Sequence, residues 1–184
     1  MTITHTLSKL RTLFNDVKKV YYLNKELKAA DLGTDMTAFM DLPVLEDGIT
    51  LNTGEPDVTR IKIINGDNWC TRAKKGDPDI SFQVASIAGE VNDLFMEKKV
   101  AVTGAASIII EGATYSGNSY SLAPKSVKGS LILMSEDQSS VIVFPNVEMY
   151  ASLVAADGDN PAYFNVTATP MANEEGADVM ILGK

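Results

Sequence analysis

Few residues of this chain are of a type and spacing that could do chemistry, and none of them completes a catalytic set. Asp157, Asp159 and Asn160 resemble the opening of a calcium loop, where alternating side chains present oxygens to a hard cation. Pro161 and Phe164 occupy the positions that follow and the closing Glu is missing, so the group reads as a solvated turn. Asp77 and Asp79 around Pro78, and the adjacent Glu46 and Asp47, offer paired carboxylates for acid–base work, but turn chemistry accounts for both. Glu174, Glu175 and Gly176 read as a turn in the same way. The one histidine, His5, sits near an end, which removes Ser/His/Asp and Cys/His arrangements. No Gly-rich run precedes a Lys-Ser or Lys-Thr pair, so a P-loop is absent. The reading is therefore of a protein that is not an enzyme, with no catalytic, cofactor-binding or metal-ligating residue predicted.

The remaining polar feature is a small basic cluster, Arg72, Lys74 and Lys75, beside the only tryptophan, Trp69. A cluster of this kind is usually a solvated loop, and it also suits docking onto an acidic patch of an identical subunit. These four residues are the candidate assembly interface, although Trp69 is equally expected to pack partly against its own loop. The chain as a whole carries a net charge of −8 with a pI near 4.6, a field that opposes binding to nucleic-acid backbones. Cys70 is the single cysteine, which excludes an intrachain disulfide and points to a reducing compartment. Thr2, Thr4, His5 and Thr6 stand where a signal peptide has its apolar core, so export by that route is not expected, and the acceptor motif Asn165-Val166-Thr167 carries little weight. No apolar run approaches the roughly 18 residues that span a bilayer.

The elements that must position these residues are mostly strands. With 184 residues, 45% hydrophobic and 22% charged, the chain suits one domain with a real core. A β-branched run (Val58, Thr59, Ile61, Ile63, Ile64) and a second run (Ile80, Phe82, Val84) predict two core strands, joined either by a long loop or by a short extra hairpin over residues 65–79. Val91, Leu94 and Phe95 then fall at helical spacing, with Glu90 near the start and Lys98 and Lys99 near the end, which predicts a short helix with charges suited to its dipole.

Ahead of this unit, Leu7, Leu10, Leu13, Phe14 and Val17 recur at helical spacing and predict an N-terminal helical segment within residues 1–35. Its helix runs over residues 6–30, although Val20 to Leu23 suit a strand equally well. Residues 36–56 read as an extended arm or loop. After the short helix come strands over residues 100–103, 107–111, 127–134, 141–144, 146–154, 163–169 and 178–182, with a polar hairpin tip at 135–140. The fold class is thus mainly β, a β-sandwich or small barrel, with one short flanking helix.

Two phrases carry a family resemblance. Leu42-Pro43 with Glu46-Asp47-Gly48-Ile49 and Gly54-Glu55-Pro56-Asp57-Val58, running into a strand, looks like the front of phage major tail (tail tube) proteins. Tyr163-Phe164-Asn165-Val166-Thr167-Ala168-Thr169-Pro170 and the stretch from Gly176 to Leu182 look like their end. The resemblance covers residues 40–182 in general layout. It implies a tail-tube-like β domain spanning 1–184, related to tube proteins of contractile injection systems. It also implies hexameric rings stacked into a tube, contacts with other tail proteins, and DNA passing through the lumen without specific binding. The location implied is the virion tail, assembled in the bacterial host cytoplasm. The competing reading is a small β-sandwich module that binds a sugar or peptide on Trp69, Tyr115 and Tyr120.

Overall fold

The computed structural model describes residues 17–33, 38–45, 49–52, 54–64, 66, 68–85, 89–156 and 161–184. Along them run β1 (Val17–Leu23), β2 (Met40–Leu42), β3 (Thr50–Asn52), β4 (Asp57–Lys62), β5 (Asn68–Lys74) and β6 (Asp79–Ala85). The helix α1 (Gly89–Phe95) follows, then β7 (Glu97–Val102), β8 (Ile108–Ile110), β9 (Ala113–Tyr115) and β10 (Gly117–Ser121). The chain finishes through β11 (Val127–Ser135), β12 (Ser140–Val154), β13 (Tyr163–Pro170) and β14 (Met180–Gly183). No helix among the described residues is long and apolar enough to cross a membrane.

The main sheet runs β2-β1-β11-β12-β13-β6-β3, antiparallel throughout, with β14 paired to the first part of β12. Beyond β2 the chain returns to β6. Val44 bridges Val84, the Leu45 N–H donates to the Gln83 carbonyl and the Ala85 N–H to the Pro43 carbonyl, both at 2.9 Å. Residues 40–45 therefore pair with β1 on one side and β6 on the other, and the sheet closes as a small barrel. Closure covers the edges of β2 and of the end of β6 at this seam, while β3 pairs only with β6 and β14 only with β12.

Period-two alternation fills the barrel. Phe164, Val166 and Ala168 of β13 point inward and are fully buried, while Asn165, Thr167 and Thr169 face out. Ile80, Phe82 and Val84 of β6, Val20 and Tyr22 of β1, and Leu131 and Leu133 of β11 complete the same cluster. The helix joins it through Val91 and Phe95, whose ring meets Phe164 with centroids 5.3 Å apart at a tilt of 47°. Burial pushes the Tyr22 phenol up to about 12, and its hydroxyl donates to the Lys128 carbonyl at 2.8 Å. A smaller apolar layer lies outside the barrel, where Leu27 packs with Ile132 and Val143 and with Leu32, Phe39 and Met180. Asn173 holds that layer down by donating to the Leu27 carbonyl at 2.9 Å.

Several expectations need correction. Residues 17–23 form a strand rather than the end of a helix, because Val20 and Tyr22 alternate into the core and β-branched and aromatic side chains suit a pleated surface. Residues 29–33 make a 3-10 turn, and Leu7 to Phe14 lie outside the described residues. Within the expected arm, β2 and β3 are short strands of the main sheet. Pro145 does not separate two strands. It lies inside β12 at a bulge, with Ser130 alone standing opposite Pro145 and Asn146 in the register with β11. On the other side of β12 the pairing with β14 ends at Val143 and that with β13 begins at Val147. A residue without an N–H fits such a gap in both ladders.

Lys98 and Lys99 lie on β7 and not in the helix. The cation at the helix end is Lys125, whose Nζ donates to the carbonyls of Asp93 at 2.7 Å and Met96 at 3.3 Å. The expected turn at Asn173 to Gly176 is present, with Gly176 at φ 79°.

The polar tip between β11 and β12 carries a pH dependence. The Asp137 carboxylate accepts from the Ser139 N–H at 3.0 Å, the Ser135 hydroxyl at 2.7 Å and the Ser139 hydroxyl at 2.8 Å. These bonds, the Ser139 N–H foremost, hold its carboxyl down to about 2 from the ordinary 3.8. Folded chains keep this anion where unfolded chains have protonated theirs, so its contribution is complete above about pH 4 and fades as pH falls toward 2. Asp137→Asn is expected to flatten the acid limb of denaturant-measured stability over that interval; an unchanged limb would show that the tip contributes nothing.

Candidate assembly surface

The residues singled out for assembly lie on a ribbon that stands apart from the barrel. β4 pairs only with β5, in a register running from Asp57 opposite Lys74 to Ile61 opposite Cys70. The expected strand over residues 58–64 is therefore not a core strand, and residues 65–79 hold neither a long loop nor an extra hairpin of their own but one strand, β5, that pairs back on β4. Val58, Thr59, Arg60 and Lys62 are all exposed. At the free end Ile63 is 45% exposed and Ile64 fully so. Asn65 and Asp67 lie outside the described residues.

Two glycines fix the root of this ribbon. Gly54 takes φ +77°, and a Cβ on Gly76 would stand 2.3 Å from the Glu55 carbonyl oxygen and 2.7 Å from the Gly54 carbonyl carbon. The two chain segments cross here at a distance only glycine allows. The ribbon's exit from the barrel is thereby set by backbone contact.

Of the four sequence candidates, Arg72 and Lys74 are exposed on β5. Lys75 follows β5 and is held within its own chain by an ion pair to Asp178 at 2.6 Å. Trp69 lies in the backbone of β5, and its side chain is outside the described part. The structure adds Arg60 and Lys62 on β4, both exposed. Among the described residues none of Arg60, Lys62, Arg72 and Lys74 has an acidic partner. Sequence reasoning passed over Arg60 and Lys62 because their β-branched surroundings read as core; their placement opposite Thr71 and Asn68 shows otherwise.

A second two-stranded ribbon, β8 with β9, has an apolar surface. Ile108, Ile109 and Ile110 are 57%, 69% and 51% exposed, and Tyr115 is 55% exposed. By register Ile108 lies opposite Tyr115 and Ile110 opposite Ala113, so all four crowd one face. Ile109 points from the other face beside Thr114. An isolated two-stranded ribbon is marginal in water, and one that is apolar on both sides resembles a strand awaiting cover.

Of the three aromatics of the competing reading, Tyr115 and Tyr120 lie on different strand pairs, and the Trp69 side chain lies outside the described residues. The Tyr120 hydroxyl donates to Asp93 at 2.7 Å and is bonded by the Asn118 amide at 3.3 Å, and the hydrogen bond to Asp93 raises its pKa. It belongs to the β7–β10 pair, separate from Tyr115 on β9. A cleft of about 550 Å³ opens at the barrel seam, with Val20, Leu42 and Val44 along it. The Lys19–Asp41 ion pair at 2.8 Å stands on its lining, with Glu136 nearby. Among the described residues no three His, Cys, Asp or Glu side chains could jointly hold a metal ion. The carboxylates of Asp157 and Asp159, and those of Glu46 and Asp47, lie outside the described residues. In comparisons with known proteins, no family model and no curated protein matches this chain.

Proposed function

We propose that this chain is a structural, non-catalytic subunit of a bacteriophage or prophage tail tube, assembling through identical copies into stacked rings around a channel for DNA. The observation that carries the reading is a closed apolar barrel bearing two ribbons, β4–β5 and β8–β9, whose exposed faces bury little against their own chain. Such surfaces are completed by neighbours. Symmetric rings arise when one copy offers a surface that the next copy's different surface accepts. The net charge of −8 suits a lumen through which DNA slides by repulsion. The phrase-level resemblance to tail tube proteins, residues 40–182, supplies the family; hexameric rings, contacts with other tail proteins and a place in the virion tail follow from that resemblance. The alternative of a sugar- or peptide-binding module has less behind it, since Tyr120 is occupied by Asp93 and Asn118.

Sedimentation over a concentration series tests the reading, with mass expected to rise above that of the 19.8 kDa monomer as concentration increases. Ile109→Asp adds a mutational arm. Because Ile109 is 69% exposed, its loss is expected to leave monomer stability within about 0.5 kcal/mol while weakening association about tenfold or more. Equal association of the variant and the parent would remove β8–β9 from the interface.

A further inference from the structure

The charges along the β4–β5 ribbon are not evenly spread. At its root stand four exposed carboxylates, Glu55, Asp57, Asp77 and Asp79. Lys75 is neutralised there by Asp178, and Lys74 lies opposite Asp57 in the register. Toward the free end stand Arg60 and Lys62, with Arg72 at mid-ribbon opposite Thr59, all three exposed and without acidic partners among the described residues. Asp67 by sequence is the one acid beyond them. Lys62 is five residues along the strand from Asp57, roughly 17 Å at about 3.3 Å per residue. That exceeds the screening length of about 8 Å at physiological salt, so Lys62 is not neutralised by the acids of its own root.

From this polarity we infer that the basic free half of the ribbon of one copy docks on the acidic root of the ribbon of a second copy, head to tail. The charge of each half complements the other. Ile63 and Ile64 at the free end add apolar surface that the same contact would cover. A contact between two different patches is heterologous, and repetition of it generates a ring or an open filament rather than a closed dimer. The inference rests on the self-assembly proposed above and names its contact. It also assigns the exposed Asp77 and Asp79 a use as an acceptor surface, which the turn reading of that pair did not.

A zero-length carbodiimide, which joins amines to carboxylates in contact, tests it on the full chain. A mixture of unlabelled and nitrogen-15-labelled protein is cross-linked over a concentration series and digested. Mixed-label peptides joining Lys62 to Glu55, Asp77 or Asp79 are the expected product. Their yield should fall at least fivefold in the Asp77→Asn/Asp79→Asn variant, whose charges change without loss of volume. As a second arm, Arg60→Glu/Arg72→Glu and Asp77→Lys/Asp79→Lys should each fail to self-associate yet associate with one another when mixed. Association with mixed-label links elsewhere, or reversed-charge variants that associate as the parent does, would overturn this contact and leave the tail tube reading standing. Root-to-tip links in an assembly without a central channel would support the contact and overturn the tail tube reading. A chain that never associates would overturn both.

Discussion

Phe164→Ala is expected to lower the free energy of unfolding by about 4 kcal/mol, from the lost transfer energy of the ring and the cavity it leaves. The side chain is 1% exposed at the centre of the barrel core and carries the contact to α1 through Phe95. Its strand is clamped between β12 and β6, so the backbone on either side has little freedom to collapse into the space. Against a total stability of about 5–15 kcal/mol, such a loss is a large fraction. At about 2–4 °C per kcal/mol for a chain of this size, the midpoint should fall by roughly 10 °C. Chemical unfolding followed by circular dichroism measures it, with Asn165→Ala on the outward face of the same strand as the control. A loss below about 1.5 kcal/mol would mean that the core is not packed as described.

Gly76→Ala should separate the barrel from the assembly. The added methyl meets the Glu55 carbonyl oxygen at 2.3 Å and the Gly54 carbonyl carbon at 2.7 Å, and backbone cannot rotate aside as a flexible side chain does. The root must open, and the ribbon it aims must turn with it. The expected cost to the monomer is about 2 kcal/mol of local overpacking, with the barrel spectrum kept. Association should weaken about tenfold or more, since every contact along a ribbon of six and seven residues shifts with its root. Gly117→Ala, where a Cβ meets nothing within 4 Å, is the matched neutral change. Sedimentation of the three proteins decides the matter; a Gly76→Ala protein that associates like the parent would show that the ribbon's direction is irrelevant.

How far the fold was legible depended on what each pattern encodes. Alternation at Phe164, Val166 and Ala168 announced β13 and its inward face, and the spacing of Val91, Leu94 and Phe95 announced α1, because in both a single buried face dictates the period. The polar run from Ser135 to Ser140 marked the β11–β12 tip for the same reason, as residues that need not pack. β1 was harder. Its Val17 also closes a helical series begun at Leu7, and only tertiary pairing with β11 shows Val20 and Tyr22 to be strand residues.

β-branched composition reports a strand without saying what covers it, so the expected core strand at residues 58–64 is instead one side of an exposed ribbon. Ile61 and Ile109 look alike in sequence to Ile80, yet Ile80 is fully buried and Ile109 is 69% exposed. That ambiguity hid Arg60 and Lys62 from the candidate set, whereas Arg72 and Lys74 were found by their clustering alone. The barrel's closure through Val44 and Val84 was equally invisible, since a single bridge across 40 residues leaves no local periodicity.

In the proposed assembly identical copies complete these ribbons around a hollow channel. Negative-stain electron microscopy of the purified protein, from dilute to concentrated, is the deciding measurement. Rings with a central hole, joining end to end into tubes as concentration rises, are the predicted result. Single barrels at every concentration, or compact particles with no channel, would contradict it.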